Sequence, residues 1–195
     1  MRTLVLASGS PRRRELLSGM GFTFTVESAN LDETPRPGES PRGYVKRLAR
    51  EKAQAVARRL MDSGALVLAA DTSVVLGEEI LGKPRDAAHA RQMLTSLAGR
   101  RHLVLTAVAV AGSHHDTRLV ETAVTFRAVT AAEIAWYVET GEPLDKAGAY
   151  AVQGRGSFLV SALEGSPTNV IGLPLPETLQ LLAAGGVAAP WGAGP

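Results

Sequence analysis

Cysteine is absent from the 195 residues, which removes a disulfide framework, thiolate zinc sites and a cysteine nucleophile at once. Any metal must be held by oxygen or imidazole, and a reducing compartment such as the cytoplasm fits. Aromatic residues make up only 5% of the chain, too few for the stacking platforms that grip single-stranded nucleic acid. Neither sign of charge dominates: 21 Lys and Arg stand against 19 Asp and Glu, a formal charge of +2, and this argues against a nucleic-acid partner. No apolar run reaches the roughly eighteen residues that suggest a membrane span, so no membrane partner is expected. The opening MRTLVLASGSPRRR is interrupted by Pro11 and three arginines too early for a secretory signal. His89, His102, His114 and His115 lack ligand spacing such as H-E-x-x-H and read as structural or exposed. G-x-S-x-G is missing too, leaving acyl transfer without support.

What remains is a chain that is 45% hydrophobic, enough to bury one substantial core or two small lobes that share one. Thr3 to Ala7 reads as a strand, followed by a Ser-Gly-Ser-Pro turn and a helix over Arg12 to Met20. Phe22 to Val26 reads as a second strand, and LDETPRPGESPRG as a loop into a helix from about Gly43 to Met61. A buried strand over Ala65 to Ala70 precedes a hairpin around Gly77 and a helix over Asp86 to Leu97. Paired strands follow at Leu103 to Ala111 and Leu119 to Arg127, then a helix over Ala131 to Glu139, a Gly-rich stretch, a strand at Ser157 to Ala162 and a last helix at Pro176 to Ala184. This alternation predicts an α/β fold with a mixed sheet, as one domain over residues 1–184. The Gly/Ala/Pro-rich tail, 185–195, is expected to be disordered.

Three features carry chemistry. In SGSPRRRELL, Ser10 suits the N-cap and Pro11 the first helical position, yet Arg12, Arg13 and Arg14 fill a first turn where cations oppose the helix dipole. An anion bound there resolves the conflict, so the turn reads either as a phosphate cradle or as a solvated, frayed end. It is neither a Walker A loop nor a dinucleotide fingerprint. Secondly, winding the 43–61 segment as a helix aligns Val45, Leu48, Ala49, Ala53, Val56 and Leu60, with Lys52 in the middle of that stripe. Lys46, Arg47, Arg50 and Arg58 lie away from it and read as a wet face, and Arg59 suits the dipole at the helix end. A Lys on the inner face needs an anion or must snorkel: a ligand, an ion pair or a core-edge position all satisfy it. Thirdly, Asp71 ends the apolar run ALVLAA, at the strand terminus where α/β sheets bind ligands. It can hold a cation, accept a proton, or simply close a turn. Lys83 beside Pro84, Glu33 in LDET, and Asp145, Lys146, Tyr150 and Gln153 among four glycines are weaker candidates.

Taken together, LASGSPRRRELL, RLAREKA, AADTSVV, GKPRDAAHA, EPLDKAGAYAVQG and NVIGLPLPET resemble the Maf family of nucleoside triphosphate pyrophosphatases, from about residue 3 to 183. The resemblance implies an elongated mixed sheet flanked by helices, two lobes around a cleft, a fold related to the inosine-triphosphate pyrophosphatases, and a homodimer. It implies that Ser8, Arg12 and Arg13 hold phosphates, that Lys52 and Lys83 bind the triphosphate, and that Asp71 is the catalytic carboxylate; Lys146 is a further cation able to offset the triphosphate's charge. Asp71 and Glu33 resemble family positions for a divalent cation, Mg²⁺ or Mn²⁺. Arg12, Thr72 and Gln153 match the branch that acts on dTTP and UTP rather than on 7-methyl-GTP. Ala151 departs from the glycine common in that branch. The family name is also linked to inhibition of septum formation, so a nucleotide-binding regulator of division without turnover is the competing reading.

Overall fold

The computed structural model describes residues 2–192. Its elements are β1 (Leu4–Leu6), α1 (Pro11–Gly19), β2 (Thr25–Val26), α2 (Pro41–Arg59), β3 (Leu66–Leu76), β4 (Glu79–Leu81), α3 (Ala87–Leu97), β5 (Arg101–Gly112), β6 (Asp116–Phe126), α4 (Ala131–Glu139), β7 (Val160–Glu164), α5 (Pro167–Ile171) and α6 (Leu175–Ala184). The strands form one mixed sheet in the order β2-β1-β3-β5-β6-β7, with β4 paired to the far end of β3. β1 runs parallel to β2 and β3, and the remaining pairs are antiparallel.

Side chains alternate across a strand, and on β3 the alternation divides two cores. Val67 and Ala69 pack under α2 with Val45, Ala49, Ala53 and Val56. Leu66, Leu68 and Ala70 face the other way, onto Leu17 of α1 and Leu181 and Leu182 of α6. Farther along, Val74 joins a third cluster with Met93 and Leu94 of α3, Ile134 and Tyr137 of α4 and Phe126 of β6. The long strands β3, β5 and β6 thus run from one lobe into the other, as the elongated two-lobed expectation requires.

The sheet has a gap on one side of β3. β1 pairs with residues 66–68 and β4 with residues 74–76, so residues 69–73 have β5 on one flank and no strand on the other. At this gap Asp71 and Thr72, pointing to opposite faces by the pleat, both reach a common opening.

Boundaries moved where local signals compete. α2 starts at Pro41 because Ser40 accepts the Gly43 N–H at 3.2 Å and Pro41 is preset for the first turn. Only Thr25–Val26 of the expected second strand pairs with β1, while Phe22 packs into the core. Gly154–Leu159 winds as 3-10 turns, so β7 begins at Val160. Residues 185–192, expected to be disordered, instead close α6 and pack: Val187 is buried, and the Trp191 ring meets Phe22 edge-on at 6.4 Å. Residues 193–195 lie outside the described residues.

Candidate active site

A cavity of about 700 Å³ opens at the gap, and the residues expected to hold substrate or metal line it: Ser8, Arg12, Arg13, Glu33, Lys52, Asp71, Thr72, Lys83, Lys146 and Gln153. Arg14, the third cation of the first turn, lies outside this lining and is exposed. Local structure delivers each group: the turn after β1 brings Ser8 to Arg13, the inner face of α2 brings Lys52, and the middle of β3 brings Asp71. This is not the strand end expected from the sequence, because the strand runs on to Leu76 against β5 and the opening comes instead from the gap between β1 and β4.

Lys52 and Asp71 meet because the odd-numbered residues of β3 face α2. Lys52 Nζ donates to Asp71 Oδ1 at 2.8 Å and lies 2.7 Å from Glu33 Oε1. The inner-face lysine is thus an ion pair between two carboxylates, its side chain 12% exposed and Asp71 6% exposed. Burial raises the Asp71 pKa above the ordinary carboxylate value and outweighs the opposing pull of Lys52 and Arg13. Asp71 Oδ2 takes no hydrogen bond among the described residues and is open to the cavity.

Arg13 is fixed from three sides. Nε donates to the Gly172 carbonyl at 2.7 Å, Nη1 to Ser8 Oγ at 3.2 Å and Nη2 to Thr72 Oγ1 at 3.0 Å. Burial lowers its pKa, partly offset by Asp71. The hydroxyls behind it have a defined order. Thr106 Oγ1 donates to the Asn169 carbonyl at 2.9 Å, so its contact of 2.9 Å with Thr72 Oγ1 must be an acceptance, and Thr72 supplies that proton. Thr72 can therefore only accept from anything in the cavity. Asn169 is anchored in turn by Nδ2 donating to Val104 O at 3.0 Å and Thr122 Oγ1 at 2.9 Å. The NVIGLPLPET segment, quoted above without a role, thus supports the guanidinium. Ser10 stands at the α1 N-cap but makes no capping hydrogen bond; its N–H instead donates to Ser8 Oγ at 3.2 Å.

On the opposite rim Lys146 Nζ donates to the Glu142 carbonyl at 2.7 Å and to Asp145 Oδ1 at 2.6 Å, while Arg12 reaches Asp145 only at 3.5 Å. Gln153 is exposed, with no side-chain hydrogen bond among the described residues. His102 is buried against Tyr150, 2.8 Å from its hydroxyl, and burial holds its pKa down to about 4.

Sequence reasoning passed over two residues that hold the Glu33 loop. Tyr44 donates its hydroxyl to the Glu33 carbonyl at 2.9 Å. Arg47, read as part of a wet face, is 7% exposed: its fork grips Glu39 at 2.6 and 2.7 Å, Nη1 reaches Glu51 at 3.1 Å, and Nη2 reaches the Thr34 carbonyl at 3.3 Å. That correction has a physical reason: helical periodicity places Arg47 on the flank of α2 and says nothing of the loop that folds back over it. The i, i+4 pairing with Glu51 was the one available signal. Arg47 draws the Glu39 pKa from 4.5 to about 2. A depressed carboxylate contributes stability above its unfolded pKa and loses it as the pH falls toward the folded one. Wild type is therefore expected to exceed Glu39→Gln in denaturation midpoint at pH 7, with the two curves converging between pH 4.5 and about 2; a pH-independent difference would refute the pairing.

The Maf-like protein family model matches residues 3–185. The dTTP/UTP pyrophosphatase of Myxococcus xanthus is 60% identical over 188 residues, covering 96% of this chain and 95% of that protein. The dTTP/UTP pyrophosphatase of Shewanella oneidensis is 52% identical over 191 residues, 94% of this chain and 98% of its own. Among solved structures, the Staphylococcus aureus Ham1 protein aligns with a TM-score of 0.45 at 17% identity, over 64% of this chain and 71% of that one.

Proposed function

This chain belongs to the Maf family, and from that premise we propose that it hydrolyses dTTP and UTP to the nucleoside monophosphate and pyrophosphate. The observation that carries the reading is the cavity at the sheet gap, where cations from several parts of the chain surround one buried carboxylate. A triphosphate brings about four negative charges, and Arg12, Arg13, Lys52 and Lys83 offset them, Arg13 as a fixed fork suited to phosphate oxygens. Lys146 adds a cation from the second lobe.

In the reaction, water bonds to the α-phosphorus, the bridging bond to the β-phosphate breaks, and pyrophosphate leaves with the electron pair. Asp71 orients the water and takes its proton through Oδ2, while Lys52 holds Oδ1. Gln153 offers both a donor and an acceptor to the pyrimidine carbonyls and N–H. Thr72, confined to accepting, serves by fixing Arg13 and can at most take the ring N–H.

The donor set fits a divalent cation that comes with its substrate. Mg²⁺ commonly uses one or two carboxylates plus phosphate oxygens and water, and Asp71 and Glu33, brought together by Lys52, would hold it through the carboxylate oxygens that Lys52 does not engage. No group of three or more His, Asp or Glu side chains suited to a resident ion occurs among the described residues. When bound, Mg²⁺ or Mn²⁺ neutralises charge on the phosphates. A homodimer working in the cytoplasm completes the proposal; among the described residues no helix is long and apolar enough to cross a membrane.

The test is pyrophosphate release across a panel of nucleoside triphosphates, with and without Mg²⁺ or Mn²⁺. Turnover of dTTP and UTP that yields pyrophosphate and stops on chelation is expected. Stepwise release of single phosphates, or no turnover of any nucleotide, would overturn the reading.

A further inference from the structure

Gln153 is held from behind by a device that does not line the cavity. The loop from Ala151 to Gly156 bends at Val152 and Gln153 and enters the 3-10 turns that lead to β7. Backbone groups on both sides of Gln153 donate to one acid and phenol pair. The Ala151 N–H reaches Tyr137 Oη at 3.2 Å, the Arg155 N–H reaches Glu142 Oε2 at 3.0 Å, and the Gly156 N–H reaches Glu142 Oε1 at 2.9 Å. Tyr137 closes the ring by donating its hydroxyl to Glu142 Oε1 at 2.8 Å. Tyr137 itself is fully buried among α3, α4 and Phe126, so the clasp hangs from the core of the second lobe.

The glycines of the loop agree with this. Gly154 has φ +80°, and a Cβ there would sit 2.8 Å from Glu142 Oε2. A Cβ on Gly156 would lie 2.4 Å from Tyr137 Oη and 2.6 Å from the Ala151 carbonyl. Both positions exclude a side chain because the backbone must approach the carboxylate and the phenol closely. Burial alone would raise the Glu142 pKa, but the Gly156 and Arg155 N–H groups and the Tyr137 hydroxyl outweigh it and hold it below the ordinary value. A carboxylate accepting several N–H and O–H bonds makes each stronger than a neutral acceptor would. The Glu142 carbonyl, meanwhile, accepts from Lys146 Nζ, so one residue fastens the cation of the rim through its backbone and the Gln153 turn through its side chain.

We propose that Glu142, with Tyr137, is a positioning residue that sets nucleobase discrimination by fixing the turn that carries Gln153. The inference rests on the reading of Gln153 as the group that reads the base. Neither Glu142 nor Tyr137 lines the cavity, so their loss weakens binding of the correct base in ground and transition states alike.

Steady-state kinetics of Glu142→Gln, Tyr137→Phe and Gln153→Ala on dTTP, UTP, CTP and GTP, with the double variant Glu142→Gln/Gln153→Ala, test it. Tyr137→Phe keeps the buried ring and removes only the hydroxyl, which guards against a variant that merely fails to fold. Glu142→Gln and Tyr137→Phe are expected to raise KM for dTTP and UTP about tenfold, with kcat within about threefold, and to narrow the preference over CTP and GTP about tenfold. In the Gln153→Ala background, Glu142→Gln should leave the preference unchanged, since both act through one contact. An equal fall of kcat on all four nucleotides with the preference intact would overturn the clasp as a specificity device. So would an undiminished effect of Glu142→Gln without Gln153. If Gln153→Ala itself leaves the preference at its wild-type value, the reading of Gln153 falls and this inference with it; if only Glu142→Gln and Tyr137→Phe do so, the inference alone falls.

Discussion

Asp71→Asn is expected to lower kcat on dTTP and UTP by about a thousandfold while leaving the protein folded and able to bind nucleotide. Asparagine matches the carboxylate in shape but can neither take a proton from water nor carry the charge that orients one. The local cost is small, because Lys52 keeps Glu33 at 2.7 Å and is not left as an orphaned cation. Binding should tighten, since the variant removes a negative charge that faces an incoming triphosphate; a group that repels the ground state yet serves the transition state is a familiar cost of catalysis. Single-turnover kinetics and calorimetric titration with a non-hydrolysable dTTP analogue measure the two effects separately. Residual kcat above about a tenth of wild type would remove Asp71 from the proton-transfer step.

Lys52→Met is expected to fail in a different way. Activity falls about a hundredfold or more, because a cation that holds Asp71 Oδ1 and faces the phosphates is gone. Stability falls as well, by about 3 kcal/mol, because removing one partner of a buried pair strands the other charge. Asp71 is 6% exposed and its carboxyl is already raised by burial, so it is the stranded group. Adding Asp71→Asn to Lys52→Met should therefore restore much of the lost stability and none of the activity. Urea denaturation of the four members of this cycle measures the coupling. A double variant no more stable than Lys52→Met would mean that the two side chains do not depend on one another.

The legible part of the site was local. Arg12 and Arg13 were conspicuous because cations at a helix N-terminus are disfavoured without an anion, and both line the cavity. Lys52 stood out against an apolar stripe that the structure buries under β3. The same periodicity misjudged Arg47, whose partners Glu39 and Thr34 come from a loop that no helical wheel contains. Thr106, Asn169 and Tyr44 gave no signal, since a buried hydroxyl, amide or phenol looks like any other until its partner is known. Resemblance gave Gln153 its role, yet the groups that hold its turn were unmarked: Tyr137 read as one more residue of a helix and Glu142 as part of a Gly-rich stretch.

The sequence by itself determined the alternation of strands and helices, the cationic turn after β1, the lysine on the inner face of α2 and the carboxylate at the end of an apolar run. Each follows from spacing within one segment, where propensity and periodicity act. Tertiary structure alone decided that β1 stops pairing at residue 68 and β4 begins at residue 74, and hence that Asp71 opens onto a cavity rather than into the sheet. It also decided which charges meet: Lys52 with Asp71 and Glu33, Arg13 with Thr72 and Gly172, Glu142 with the Gln153 turn. These depend on strand register and loop path across distant parts of the chain, and register is settled by the packing of whole faces rather than by any residue's own neighbours.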